Sequence, residues 1–181
     1  GVLLEMQSIR LMNEREFKDW CEQGDIPKLF LIVDGMTDPR NLGACLRTAN
    51  AAGVDAVLLP KRRIAPLSST VMRVAQGGCE ELSLVEIGNI ARTLKWLQER
   101  GVWIIGADAG GRSIWESNLD DRPVALVVGD EGKGLRRLTK ELCDEVVGIP
   151  MFGTVESLNV SVATGALLFE LRRKKARTPK A

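Results

Sequence analysis

Six short runs of aliphatic and β-branched residues recur along the chain: Leu29–Asp34, Ala56–Leu59, Leu82–Val85, Val102–Ile105, Val124–Val128 and Val146–Ile149. They are apolar almost without interruption. A strand with one wet face alternates polar and apolar residues, whereas a continuous run belongs to a strand covered on both faces, as in parallel sheets flanked by helices. The segments between them carry helical spacing and helical punctuation. Asn41–Ala52 reads as a helix stopped by Gly53, and Ser68–Ala75 as a short one before Gly77-Gly78. Asn89 caps a helix carrying Leu94, Trp96 and Leu97 that ends at Gly101. Leu135–Cys143 and Leu158–Lys174 complete the set, with Ser113–Asp121 left irregular. Strands and helices in alternation predict an α/β domain built on a mostly parallel sheet of about six strands, with helices on both faces.

A chain of 181 residues suits one such domain and leaves no room for a second. Residues 29–175 form the main domain, and 176–181 a basic tail. Residues 1–28 carry Leu3, Leu4, Met6, Ile9, Leu11, Met12, Phe17 and Trp20 among charges, which reads as one or two helical turns or a linker helix ending near Gly24-Asp25-Ile26-Pro27, an arm or linker remnant rather than core. Gly1 in place of Met, with no basic-then-apolar leader, points to a trimmed N-terminus and gives no secretion signal. No apolar run approaches the ~20 residues that span a bilayer, so no membrane role is expected.

The residues that are absent constrain the chemistry. There is no histidine, which removes the usual zinc ligand, the usual general base and any Ser-His or Cys-His pair. The four cysteines, Cys21, Cys45, Cys79 and Cys143, form no Cys-x-x-Cys pair, so neither a metal site nor a disulfide framework is indicated and a reducing cytoplasm fits best. Catalysis must rest on Arg, Lys, carboxylates, Ser, Asn and backbone groups, or on a cofactor with its own reactivity. The net charge is only +1, but cations cluster at Lys61-Arg62-Arg63, at Arg136-Arg137 and, six of them with no acid, from Arg172 to Ala181. Such clusters are either solvated surface or contacts for phosphate.

Ligands of parallel sheets bind beyond the carboxyl ends of the strands. Three polar, glycine-containing segments follow strands here: 35–43, 129–134 and 150–159. Gly129-Asp-Glu-Gly-Lys-Gly134 is neither Gly-x-Gly-x-x-Gly nor a P-loop, since Gly134 stands where Ser or Thr should be. It remains a glycine turn after a buried strand, where backbone can approach a ligand and Glu131 can accept hydrogen bonds. In the segment Asn41–Arg47, Gly43 costs a helix up to ~1 kcal/mol relative to Ala, so close packing or ligand approach must explain it. In the third segment Ser157 is a plausible N-cap for the last helix, whose free N–H groups would face the loop.

Together three motifs carry a resemblance: Asp34-Gly-Met-Thr-Asp-Pro-Arg-Asn-Leu-Gly-Ala-Cys-Leu-Arg-Thr-Ala49, Leu126-Val-Val-Gly-Asp-Glu-Gly-Lys-Gly-Leu135, and Ile149-Pro-Met-Phe-Gly-Thr-Val-Glu-Ser-Leu-Asn-Val-Ser-Val-Ala163. Over residues 29–169 the chain resembles the SpoU-type, or TrmH-like, RNA ribose 2′-O-methyltransferases of the SPOUT class. Within them it is most similar to the RlmB-like branch, which acts on a guanosine of 23S ribosomal RNA.

The resemblance implies a SPOUT-type sheet with a C-terminal deep trefoil knot, in which the last two motifs hold S-adenosylmethionine. By motif position, Gly106, Ala107, Gly129, Glu131, Gly132, Ile149, Met151, Leu158 and Asn159 are the implied cofactor-binding residues. Arg47 matches the catalytic arginine, and Asn41, Glu131, Ser157 and Asn159 match the other functional polar positions; no metal is implied. Guanidinium is a poor base because its pKa exceeds ~12, so binding a phosphate to orient the hydroxyl is an alternative role for Arg47. The resemblance further implies RNA as partner and a homodimer with a composite site, in which one subunit's arginine serves the other's pocket. Two alternatives stay open: the same reaction on transfer RNA, or a catalytically silent RNA-binding assembly factor of the same fold. RlmB-like enzymes carry a small N-terminal RNA-binding domain joined by a linker, whereas about 28 residues precede the domain here, so either that domain has been removed or this relative is minimal.

Overall fold

The computed structural model describes residues 9–24 and 29–177. Six strands form a single sheet in the order β3-β2-β1-β5-β4-β6, with every pair parallel. They are β1 (Leu29–Asp34), β2 (Ala56–Pro60), β3 (Ser83–Ile87), β4 (Trp103–Ser113), β5 (Val124–Gly129) and β6 (Glu145–Gly148). Strands β1 and β5 lie at the centre and are buried at all six positions each. Their side chains alternate between two cores, which is why the sequence shows no polar alternation. Leu29, Leu31 and Val33 face one core with helices α2 (Pro39–Ala51), α3 (Ser69–Ala75) and α6 (Val160–Arg177). Phe30 and Ile32 face the other, with α1 (Glu14–Glu22) and α4 (Ile90–Gln98), and the short α5 (Arg137–Leu142) lies against α4.

The stretch before β1 departs from the expected arm. Asn13 caps α1 with a capping box, its side chain accepting from the N–H of Glu16 at 2.9 Å while Glu16 reaches back to the Asn13 N–H. Phe17, 1% exposed, then packs edge-on to Phe30 with ring centroids 5.9 Å apart, and Cys21 is buried one turn further on. Met12 pairs with the outer edge of β3, donating to Leu84 O at 2.9 Å and accepting from Glu86 N at 2.8 Å. The segment thus covers an edge strand that would otherwise expose unpaired backbone. Residues 1–8, the expected arm end at 25–28 and the tail residues 178–181 lie outside the described residues.

Two further differences matter for the site. Strand β4 is not confined to Val102–Ile105 but continues to Ser113, with a bulge between Ala107 and Arg112 that curls around the end of β6. Gly111 permits this: a Cβ there would lie 2.6 Å from the Val147 carbonyl carbon. The last helix begins at Val160, and Asn159 rather than Ser157 occupies its cap position, with Oδ1 accepting from Ser161 N at 2.9 Å. Among the described residues no helix is long and apolar enough to cross a membrane.

Candidate cofactor cleft

A cleft of about 570 Å³ opens where the carboxyl ends of β4, β5 and β6 meet the start of α6. Its floor is apolar, with Val128, Val147, Ile149, Leu158, Val160 and Leu167, and its rim is polar, with Asp108, Asp130, Glu131 and Lys133. One wall is the loop after β5. That loop doubles back sharply: Asp130 and Gly134 bond to each other through both backbone pairs, at 3.2 and 2.9 Å. Gly129 makes the reversal possible, because a Cβ there would come within 2.5 Å of Leu135 N and closer still to the Gly134 carbonyl. Gly132 and Gly134 both have positive φ, at 81° and 64°. The facing wall is the segment from Ile149 to Asn159, which leaves β6 at Pro150.

Three side chains from separate elements converge at the rim. Asn41, on the first turn of α2, is set by Asp38, the N-cap whose carboxylate accepts from Arg40 N at 2.7 Å, with Pro39 opening the helix. Asn41 Nδ2 donates to Glu131 Oε2 at 2.7 Å. Asn159 Nδ2 donates to Glu131 Oε1 at 3.1 Å and to Asn41 Oδ1 at 3.1 Å. One carboxylate is therefore shared by two amides, and the rim of the cleft is tied to α2. Glu131 and Asn159 are exposed, so water competes and each bond contributes roughly 0.5–1.5 kcal/mol to holding the three side chains together.

Of the residues implied by the motifs, Ala107, Gly129, Glu131, Gly132, Ile149, Met151, Leu158, Asn159 and Ser157 line the cleft. Gly106 does not. It sits inside β4, where a Cβ would strike Leu135 and Cys143, so its small size serves packing. Arg47 is exposed on α2, its Cα 3.2 Å from where a Gly78 Cβ would sit, and it does not line the cleft of its own chain. Gly43 meets α3 directly: a Cβ there would lie 2.8 Å from Val71 O and 2.7 Å from Val74, so close helix packing rather than a ligand accounts for it. The cleft also uses Asp108 and Ala109, which the motifs did not single out. The signal was the pair Gly110-Gly111, a mark of a bulge that aims neighbouring side chains.

The basic clusters separate as well. Arg62 and Arg63 are exposed at the carboxyl end of β2, and Lys61 lies 3.6 Å from Glu86. Arg136 and Arg137 each have a partner within the chain, Arg136 in Asp34 and Arg137 in Glu141 at 2.7 Å, while both side chains remain exposed. Among the described residues no cluster of His, Cys, Asp or Glu could hold a metal.

A parallel sheet with a cleft at its carboxyl edge, floored by apolar side chains and walled by two backbone turns, defines an α/β protein with the ligand-site layout of parallel-sheet folds. Residues 28–169 match the model of the SpoU rRNA Methylase family, and the chain belongs to that family. It is 47% identical over 176 residues to the 23S rRNA (guanosine-2′-O-)-methyltransferase RlmB of Vibrio parahaemolyticus, covering 97% of this chain and 70% of that protein. It is 52% identical over 164 residues to RlmB of Neisseria meningitidis, covering 90% of this chain and 65% of the relative. The SpoU methyltransferase AviRb from Streptomyces viridochromogenes, solved with the cofactor AdoMet, superposes with a TM-score of 0.75 at 26% identity, over 83% of this chain and 62% of that one. The chain thus spans about 60–70% of the proteins it matches.

Proposed function

We propose that the chain transfers the methyl group of S-adenosylmethionine to a ribose 2′-hydroxyl of RNA, with a guanosine of 23S ribosomal RNA as the substrate. The observation that carries this reading is the convergence of Asn41, Glu131 and Asn159 on the rim of a cleft whose floor is apolar. The cleft suits the cofactor: bare backbone at Gly132, with nothing within 4 Å of an added Cβ, allows close approach, and Ile149, Leu158 and Leu167 offer apolar surface to an adenine. When bound, S-adenosylmethionine supplies an electrophilic methyl on a good leaving group. The protein then has to bring the hydroxyl oxygen in line with that methyl, as the carbon–sulfur bond breaks, the carbon–oxygen bond forms and the hydroxyl proton leaves. Asn41, Glu131 and Asn159 orient groups at this point, Ser157 offers a further hydroxyl, and Arg47 binds a phosphate beside the reacting ribose.

The site is completed by a second copy of the chain. Arg47 stands outside its own cleft, and an apolar strip with Trp115, Phe152, Val155, Val162 and Phe169, each more than half exposed, runs beside that cleft. Trp115 and Phe152 stack at 5.7 Å and 18°. A surface of this kind is costly in water and fits a twofold contact. The deep trefoil knot belongs to the last two motifs, residues 126–135 and 149–163, which meet in one cleft. Residues 29–175 are the catalytic unit, with α1 packed on it, and its place of action is the cytoplasm.

Calorimetric titration with S-adenosylmethionine, followed by methyl transfer to transcribed 23S and transfer RNA fragments, tests the reading. Binding with methylation of a 23S guanosine is expected; methylation of transfer RNA alone shifts the substrate, and no binding leaves a silent assembly factor. Mixing Arg47→Ala with Glu131→Gln chains tests the shared site. Each is inactive alone, and the mixture regains activity only if the arginine and the cleft come from different copies.

A further inference from the structure

The wall formed by residues 129–135 is fastened at its base by groups that do not themselves line the cleft. Asp34, the last residue of β1, pairs in register with Gly129 and has a fully buried side chain. Arg136 follows the loop directly and takes the N-cap position of α5, where no side chain caps the helix. Its Nε donates to Asp34 Oδ1 at 2.6 Å, its Nη2 pairs with the same oxygen, and its backbone N–H reaches Oδ2 at 3.4 Å. On the other side of α5, Lys140 Nζ lies 3.1 Å from Asp108 Oδ2. A helix of six residues has little stability of its own, so these two carboxylates, from β1 and β4, hold α5 to the sheet. A buried carboxylate without a cation is strongly disfavoured, which makes Arg136 obligatory wherever Asp34 stays charged.

We infer that Asp34 and Arg136 are a positioning pair for methyl transfer. They set the depth at which loop 129–135 sits in the cleft, and through it the affinity and alignment of the cofactor, while touching neither cofactor nor RNA. This rests on the methyl-transfer reading of the cleft. It also explains why Arg136, beside a glycine turn and still half exposed, reaches back to a buried carboxylate rather than standing free.

Asp34→Asn keeps the shape of the side chain and removes its charge; Arg136→Lys keeps a cation and loses the planar fork. In the full-length protein, Asp34→Asn should raise amide hydrogen exchange across 130–135 about ten-fold while β2 and β3 stay as in wild type, as expected for local rather than global opening. It should raise both the calorimetric Kd and the KM for S-adenosylmethionine about ten-fold and leave the KM for RNA unchanged. Arg136→Lys should fall between the two and serves if Asp34→Asn does not fold. Unaltered cofactor Kd in either folded variant, or an equal loss of protection throughout the sheet, overturns the inference. A wild-type protein that binds no S-adenosylmethionine sinks the methyl-transfer reading instead.

Discussion

Replacing Gly129 with alanine tests the idea that one wall of the cleft is a backbone reversal with no room for a side chain. The added Cβ would lie within 2.5 Å of Leu135 N and closer to the Gly134 carbonyl, and both are main-chain atoms that cannot rotate away. Relief requires the loop to open, with loss of the Asp130–Gly134 pair of hydrogen bonds. If the closed loop is kept, overpacking should cost about 1–3 kcal/mol. If the loop opens locally the loss of stability is smaller and falls on ligand binding. Either way the calorimetric affinity for S-adenosylmethionine should drop by at least ten-fold, or about 1.4 kcal/mol. Urea unfolding and titration read the two effects separately. Gly153→Ala is the control, since nothing lies within 4 Å of its added Cβ and it should leave both unchanged. A Gly129→Ala protein with wild-type stability and wild-type affinity would refute the closed geometry.

Arg47→Ala should lower the rate of methyl transfer on the order of 10²-fold, the scale of lost substrate positioning, with the cofactor Kd within two-fold of wild type; a lost fold or lost cofactor binding would make the arginine structural instead. Changing Lys61, Arg62 and Arg63 to Gln should weaken RNA binding and reduce the slope of log K against log salt by about two to three contacts, and an unchanged slope removes them from the RNA footprint. Burial pushes the thiols of Cys21 and Cys45 up to about 11 and that of Cys143 to about 12. An unfolded thiol ionises near ~8.5, so the unfolded chain releases these protons first; stability is full below that pH and declines as pH rises toward 11. Urea midpoints should therefore fall between pH 7.5 and 9.5, less so in Cys45→Ala normalised to its own value at pH 7.5; a flat profile contradicts the assignment.

The sheet was legible because burial on both faces writes itself into consecutive residues, as at Leu29–Asp34 and Val124–Val128. Helix α1 was legible as a helix but its packing on the core was not, since only Phe17 and Cys21 of its nine residues are buried and the charges around them dominate the pattern. The roles within the basic clusters were hidden for a different reason. Arg136 and Asp34 are 102 residues apart, and nothing local distinguishes an arginine paired with a buried carboxylate from one that is free. Similarly, Ser157 and Asn159 are equally good caps by type, and only the entry angle of the chain leaving β6 selects the second. The triad of Asn41, Glu131 and Asn159 was named through motif resemblance, and its hydrogen bonding became visible only when three distant segments met.

Helix α2 connects the two halves of the proposed chemistry. Its first turn contributes Asn41 to the cofactor rim, while Arg40 and Arg47, seven residues apart, fall on one side of it, next to the Gly43 contact with α3. From Pro39 to Val54 and again from Lys61 to Cys79 the chain has six cations and no acid. In a protein of net charge +1 that segregation gives one face a local field suited to phosphate, and it adjoins the end of the sheet where the cleft opens. Methyl transfer needs the ribose hydroxyl to arrive at the cofactor rim, with the polyanion held off the acidic Asp108, Asp130 and Glu131. Holding Glu131 between two amide donors and placing the arginines on α2 meets both demands without a histidine. The work left to the protein is then alignment of nucleophile and methyl, which rigid elements can supply and titrating groups need not.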